Sequence, residues 1–255
     1  MRQDGRMVAR PTRATKTTKT TKAIKTKRTT GAAGGRPPAD RVAPARRPDV
    51  RLPPLVPYEG ALEADGDFDG LEFLAADLAG QSGPGARFMD CALTDCALDE
   101  AALGRARFLD SVLTRVRGVG TELGGATLRD VEVVDARLGG TQLHGAVLER
   151  VVVRGGKIDY LNLRQARLTD VVFEGCVLAE PDFGGAVLTR VDFRDCALRR
   201  ADLTAATLKD VDLRDAAELD IAKGFERLAG AVISAAQLLD LAPAFAASLG
   251  VRVVD

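Results

Sequence analysis

Residues 181–215 divide into fives without remainder: PDFGG AVLTR VDFRD CALRR ADLTA ATLKD VDLRD. The third place of each five holds Phe183, Leu188, Phe193, Leu198, Leu203, Leu208 and Leu213. Worked outward, the register runs from Asp67 to Asp215 and never slips. Of its thirty third places, twenty-eight carry Leu, Phe, Ile or Val, and only Gly83 and Gly118 break the rule. A helix cannot use this pattern: at about 100° per residue, five steps leave the side chain about 140° past a full turn, so the apolar residues wind round the cylinder. A plain strand has period two and cannot use it either.

The residue two places before each bulky one is usually small. Bulky and small positions then lie on one face of a short extended segment, with the residue between them pointing out. The remaining two residues face solvent at a corner. If each corner turns the chain by about a right angle, four fives close a coil of twenty residues with the bulky side chains inside. Reading every twentieth residue tests this. One small-position column is Gly66, Ala86, Ala106, Ala126, Ala146, Ala166, Ala186, Ala206, and the next is Leu71, Cys91, Ser111, Val131, Val151, Val171, Val191, Val211. A five-residue period alone would not separate Ala from Val. Phe68, Phe88 and Phe108 share a column, as do Phe173 and Phe193, and rings stacked from coil to coil favour one another.

Copies such as Ala201-Asp202-Leu203-Thr204-Ala205 and Val211-Asp212-Leu213-Arg214-Asp215 resemble the A-(D/N)-L-x-x motif of the pentapeptide-repeat family. The resemblance implies an all-β fold: a right-handed quadrilateral parallel β-helix. At the inter-strand spacing of about 4.8 Å, some seven and a half coils make a rod roughly 36 Å tall.

Net charge is zero but divided. Residues 1–51 carry 15 Lys/Arg against three Asp, which leaves 21 basic and 33 acidic residues for the rest: a basic tail on an acidic body. Residues 1–57, rich in Thr, Lys, Arg and Pro, read as disordered, because too few apolar residues offset the entropy of ordering. Three readings of the tail compete: phosphate contacts with nucleic acid, a solvated extension that touches the acidic rod, or a start codon placed upstream of the native one. Nucleic acid is a partner only if the tail is native. Base stacking is not on offer, since no aromatic residue interleaves with the charges. No apolar run reaches 18 residues, so no membrane helix or membrane role is expected, and the N-terminus has no apolar signal core. Cys91, Cys96, Cys176 and Cys196 all occupy small inward positions and read as buried free thiols. A cytoplasmic location fits them.

The rod is expected over residues 58–233, introduced by a Pro-rich lead-in (Leu52–Gly66) that covers its first coil. Gly80–Gly85 reads as a degenerate face or small loop, and Gly118–Gly120 as a second weak spot. Beyond Asp215 the pattern fades, with Glu218 where a bulky residue belongs, until Ala231–Ile233 restore a face. Residues 234–255 read as a helical cap. Ser234 and Gln237 have capping-box spacing, Pro243 is expected to kink or split the helix, Gly250 to end it, and Val251–Val254 to add a short strand.

Outward positions carry any binding information. One corner column reads Gly70, Asp90, Asp110, Asp130, Arg150, Asp170, Arg190, Asp210. Asp90, Asp110 and Asp130 are the candidate partner-binding residues, as an acidic ridge imitating a phosphate backbone. The plainer reading is that Asp favours corners because its side chain bonds turn amides. The lone His144 faces outward. The sequence contains no Ser-His-Asp set, no metal-ligand spacing and no phosphate-cradling loop, so neither an enzyme nor a cofactor is expected.

A non-catalytic rod that binds an unidentified protein through its side walls is the first functional reading. The second rests on resemblance: the layout Gly230-Ala231-Val232, Gln237, Phe245-Ala246-Ala247, Gly250 is similar to the tail of gyrase-inhibiting pentapeptide-repeat proteins of actinobacteria. That implies a bacterial DNA mimic acting on DNA gyrase and a homodimer joined through the C-terminal helix. The basic tail and the Arg residues in the ridge depart from such a mimic. Nucleic-acid binding through the tail is the third reading.

The coil assignment predicts that Ala146→Leu destabilises the fold by about 1–3 kcal/mol, because its column has room only for methyls. A melting temperature equal to that of the parent would place Ala146 outside the interior.

Overall fold

The computed structural model describes residues 42–254. Asp255 and the first 41 residues, which hold most of the basic tail, lie outside them. The chain winds as a quadrilateral parallel β-helix of about eight turns. Partners in adjacent coils are twenty residues apart: Leu128 pairs with Leu148, Leu148 with Leu168, and Leu168 with Leu188. The eight-residue strands Arg107–Thr114, Thr127–Val134, Val147–Arg154, Arg167–Glu174 and Val187–Arg194 each run over two walls and the corner between them. A separate six-stranded sheet forms the third wall. The fourth is made of single bridges, from Ser82–Ala102 to Asp182–Asp202.

The predicted columns are the core. Ala86, Ala106, Ala126, Ala146, Ala166 and Ala186 are fully buried, as are Cys91, Ser111, Val131, Val151, Val171 and Val191 in the next column. The Phe88 and Phe108 rings stack at 4.6 Å with 3° between planes, and Phe173 on Phe193 at 5.0 Å and 6°. The corners explain the sequence's tolerance there. Every fifth residue, from Asp90 and Asp95 to Asp210, has φ between +47° and +67°, the left-handed region that Gly, Asp and Asn enter at least cost. Asp at these corners is therefore favoured by backbone conformation. The turn amides are bonded instead by the residue between the small and bulky places: Asp182 Oδ1 accepts from Gly184 N at 2.8 Å and Asp202 Oδ1 from Thr204 N at 2.8 Å. This corrects the expectation that the corner Asp bonds the turn, and it accounts for the D/N of the motif.

Polar residues at small positions, Thr141 excepted, find partners in the coil below. Thr121 Oγ1 donates to the Leu98 carbonyl at 2.8 Å, and the Cys96 thiol to that of Phe73 at 3.3 Å. All four cysteines are free and buried. Burial pushes the Cys91 and Cys96 thiols up. The Cys176 thiol is also held up, by its hydrogen bond with the Cys196 sulfur and by burial. These three thiols are poor nucleophiles at neutral pH.

Gly80–Gly85 is a degenerate face and holds its register, with Ser82 bridged to Ala102. The space that Gly83 leaves is taken by Leu62 from the lead-in, whose Cβ lies 3.1 Å from where a Gly83 Cβ would stand. Tyr58 closes the same end, with its ring 5.3 Å from Phe68 and 4.9 Å from Phe73. At the other end, Glu218 is exposed and Leu219 pairs with Leu198 in its place, so one extra residue is absorbed. Ile221 is buried, and a further coil forms where the pattern fades.

The helix spans Ala235–Ser248. Ser234 and Gln237 form the reciprocal capping box, and Gln237 Nε2 also reaches the Leu213 carbonyl of the last coil at 2.7 Å. Gly250, at φ +72°, closes a Schellman turn in which Val251 N donates to Ala246 O at 2.8 Å. Pro243 does not split this helix. It lies on the exposed side, where water can take the carbonyl that its ring leaves unpaired. Residues 251–254 form no strand.

The tail boundary drawn at residue 57 falls too late. Val56–Pro57 already pair with Leu71–Glu72 as the outermost strand, and residues 42–55 follow a defined path along a wall. Apart from Val50, their half-buried residues recur by threes (Val42, Ala45, Pro48 and then Leu52, Leu55, Tyr58), the period of a polyproline II segment, which needs no ladder hydrogen bonds of its own.

Between Leu113 and Leu163 the bulky positions hold Leu, Val and Ile, and Gly118 has no side chain to offer. A cavity of about 70 Å³ remains there, lined by Leu113, Val116, Leu128, Leu148 and Thr141 among others. The Thr141 hydroxyl has no hydrogen-bond partner. Leu128→Phe would extend the Phe68–Phe88–Phe108 stack into this space. We expect it to stabilise the protein by about 0.5–2 kcal/mol, as cavity filling does; a lowered melting temperature would show that the space is not free to fill.

Candidate protein-docking wall

The corner column of Asp residues forms one edge of the second wall. Along that wall, one residue per coil points outward between two core residues: Ala92, Val112, Glu132, Val152, Val172 and Asp192. Val152 and Val172 lie outside the core cluster that contains Val151, Val153, Val171 and Phe173, yet they are only 2% and 0% exposed. The N-terminal segment crosses the wall at the level of Val172, through Arg46 and Arg47. Arg46 N and Nε donate to the Asp170 carboxylate at 3.1 and 3.2 Å, and Arg47 Nη2 to Glu174 Oε2 at 3.2 Å. Asp170 and Glu174 stand at the two ends of the strand segment that carries Val172, so the two arginines bracket it. Around Val152 and Val172 the wall thus has an apolar floor with a carboxylate on each rim, Asp170 and Glu174, and the chain's own N-terminal segment crosses it there.

The carboxylates of the ridge differ in what faces them. Among the described residues, Asp90 and Asp110 have no ion-pair partner. The Asp110 carboxyl is held above its usual range by burial, then by the neighbouring Asp130 and Asp90 charges. Asp130 is gripped by Arg150, Nε and Nη2 both at 2.6 Å. Asp170, 1% exposed, receives Arg190 Nε at 2.6 Å and Nη2 at 2.8 Å as well as Arg46. These bonds hold its carboxyl below the ordinary range, with Arg190 the leading cause. The column is therefore a free acidic stretch at Asp90 and Asp110 that passes into alternating pairs.

Pairing at a spacing of twenty recurs over the surface: Asp67–Arg87, Asp95–Arg115, Arg129–Glu149 and Arg154–Glu174 are all cross-coil neighbours. The third wall carries a basic column, in which Lys157 is paired with Asp159 of the same strand. Arg117, Arg137 and Lys157 stand in one column beside a groove of about 460 Å³ that Gly118, Gly139 and Gly156 leave open. His144 is exposed, with its ring over Gly124. Among the described residues, no three His, Cys, Asp or Glu side chains gather to hold a metal ion, and no helix is long and apolar enough to cross a membrane.

The pentapeptide repeat region profile matches residues 86–163, and the pentapeptide repeats (8 copies) profile matches residues 160–195 and 182–216. The chain belongs to the pentapeptide-repeat family. Among solved pentapeptide-repeat structures it is similar to HetL of the cyanobacterium Nostoc sp. strain PCC 7120, a protein involved in heterocyst differentiation regulation. Identity is 20%, coverage is 68% of this chain and 92% of that one, and the TM-score is 0.34. It is also similar to trypsin-treated QnrB1, a plasmid-mediated fluoroquinolone resistance protein, at 16% identity, 78% and 96% coverage and a TM-score of 0.30. Full-length QnrB1 aligns at 14% identity, 71% and 91% coverage and a TM-score of 0.27. A search of curated proteins returned no match.

Sequence reasoning placed Asp90, Asp110 and Asp130 correctly in one corner column of this pentapeptide-repeat rod. It missed the apolar floor beside them and the arginines that cross it. The signal was present: Val152 and Val172 occupy outward positions where the repeat elsewhere tolerates charge.

Two substitutions in the same column should act with opposite sign. Asp110→Asn removes a repelled charge and keeps a residue that tolerates positive φ, so it should stabilise by a few tenths to about 1 kcal/mol. Asp170→Asn leaves Arg190 short of its partner and should cost about 1–3 kcal/mol, less than a fully buried pair because Arg190 retains contact with water. Because the folded Asp170 carboxyl is lowered, its contribution is complete above the ordinary carboxylate range and disappears as pH falls through the folded value. Denaturant melts from pH 7 downward should show the parent losing stability faster than Asp170→Asn.

Proposed function

We propose that this protein is a non-catalytic scaffold, cytoplasmic and bacterial, whose side walls bind a protein partner. The observation that supports this reading most is where accessible surface lies. The coil interior is filled mainly with aliphatic and aromatic side chains around small apolar cavities, so recognition falls to the walls. A parallel β-helix presents those walls with little freedom to rearrange, because each coil is bonded to two others. The partner-facing residues we assign are Asp90 and Asp110, which are unpaired among the described residues, with Asp130 beside them.

The C-terminal helix supports a homodimer. Leu238, Leu239 and Leu249 are 50%, 74% and 79% exposed, and Val251, Val253 and Val254 continue the apolar surface. A second copy of the same helix is the simplest cover for such a self-complementary patch.

DNA gyrase is the named partner to test first. A gyrase-binding DNA mimic needs a long run of negative charge. The unpaired stretch here is two carboxylates, after which Arg150 and Arg190 neutralise the column.

The experiment has two arms. Quantitative affinity capture should compare the native chain with Asp90→Lys/Asp110→Lys at unchanged melting temperature. Loss of a captured protein by at least about tenfold is expected, since like charge at the rim weakens a complementary partner; equal capture would remove these residues from the interface. Purified gyrase should be assayed for supercoiling in the same preparations, and no effect at micromolar protein eliminates gyrase. Light scattering should report a dimer that Leu239→Asp/Leu249→Asp converts to monomer.

A further inference from the structure

The second wall is already occupied. Its floor at Val152 and Val172 is more deeply buried than any outward position on a solvated β-helix should be, and the segment crossing it comes from outside the repeat. This segment has no ladder hydrogen bonds along residues 42–55. Side-chain contacts hold it: half-buried Val42, Ala45 and Pro48 along one side, and Arg46 and Arg47 reaching opposite rims of the track. Arg46 and Arg47 are 69% and 37% exposed, so the guanidinium side of each pair is open to water and salt. A contact of this kind is displaceable, unlike the coil ladders beneath it.

We propose that this wall is a docking track for extended, arginine-bearing peptide segments with an apolar residue at every third place. Residues 42–52 are its resident occupant, and a partner segment of the same chemistry displaces them. The proposal rests on the reading that the walls are the binding surface and names the partner class for one of them. Recognition divides simply. The apolar residues of the segment cover Val152 and Val172, and its guanidinium groups reach the Asp170 and Glu174 carboxylates, which Arg can bind through two N–H groups. An extended segment of polyproline type loses little conformational entropy on docking, which suits a shallow track without pockets. The unpaired Asp90 and Asp110 continue the acidic rim toward the N-terminal coils, where a longer basic segment would find them.

The test uses the full-length chain. Trypsin cuts after Arg46 and Arg51, whereas the Arg47–Pro48 bond resists it. Val172→Glu puts a charge in the floor without touching the core. If the strap is seated, cleavage at those two bonds should be at least about tenfold slower in the native chain than in Val172→Glu. Glu174→Arg, at the solvated rim, gives the same comparison if Val172→Glu does not fold. Equal rates in the native chain and in folded variants overturn the strap. This measurement needs no partner, so its failure is separate from failure of the wall-binding reading.

In the second arm, a labelled peptide of sequence VAPARRPDVRL, corresponding to residues 42–52, is titrated into Arg46→Glu/Arg47→Glu. That variant should bind it at least about tenfold more tightly than the native chain, whose track is taken, and raised salt should weaken the complex. Adding Val172→Glu should abolish binding. Absence of peptide binding by the folded double variant overturns the docking track.

Discussion

Each coil is joined to the next by backbone hydrogen bonds that hold only if both coils keep the same twenty-residue register, and this constraint reaches every residue of the rod. The interior is one side chain wide from each wall. A bulky residue must therefore meet three others at the same height, while the small position behind it leaves the next corner room to turn. That is why the Ala86 to Ala206 column tolerates only methyls and why Cys91, Ser111 and Thr121 are accepted: each is small, and each finds a carbonyl of the preceding coil within reach. Where the constraint is relaxed, the structure compensates from elsewhere. Leu62 fills the place Gly83 leaves, and Leu219 replaces Glu218 after a one-residue insertion. At Gly118 the Thr121 hydroxyl reaches the place a Cβ would take, and a cavity lined by Leu98 and Thr121 among others remains in the core.

The same register governs the surface. Charges twenty residues apart are nearest neighbours, so alternation of sign along a column becomes a ladder of ion pairs, as in Asp130–Arg150 and Asp170–Arg190. Repetition of sign becomes repulsion, as at Asp90, Asp110 and Asp130. A rod of this kind carries a different charge on each wall. The acidic body implied by composition divides into an acid-edged apolar track on the second wall and a basic column of Arg117, Arg137 and Lys157 on the third.

A β-helix exposes core and strand edge at both ends, and both are closed by segments outside the repeat. Tyr58 and Leu62 cover the first coil, with Val56–Pro57 as a final strand; Gln237 ties the C-terminal helix to the carbonyl of Leu213. The two caps differ in what they leave over. The N-terminal cap continues as a strap along the second wall. The C-terminal helix buries Leu241 and leaves Leu238, Leu239 and Leu249 in water.

The amino-acid sequence alone determined the coil, its columns, the buried thiols, the capping box at Ser234 and the corner on which Asp90, Asp110 and Asp130 stand. A repeat states each of these contacts many times over, at a fixed separation, so the pattern is its own evidence. Tertiary structure alone decided what crosses the walls. Arg46 meets Asp170 across 124 residues of sequence, and no period connects them. It also decided that Asp110 is repelled where Asp170 is gripped. Both are the same residue at the same place in the repeat, and their carboxyl groups move in opposite directions because different side chains stand above, below and across from them.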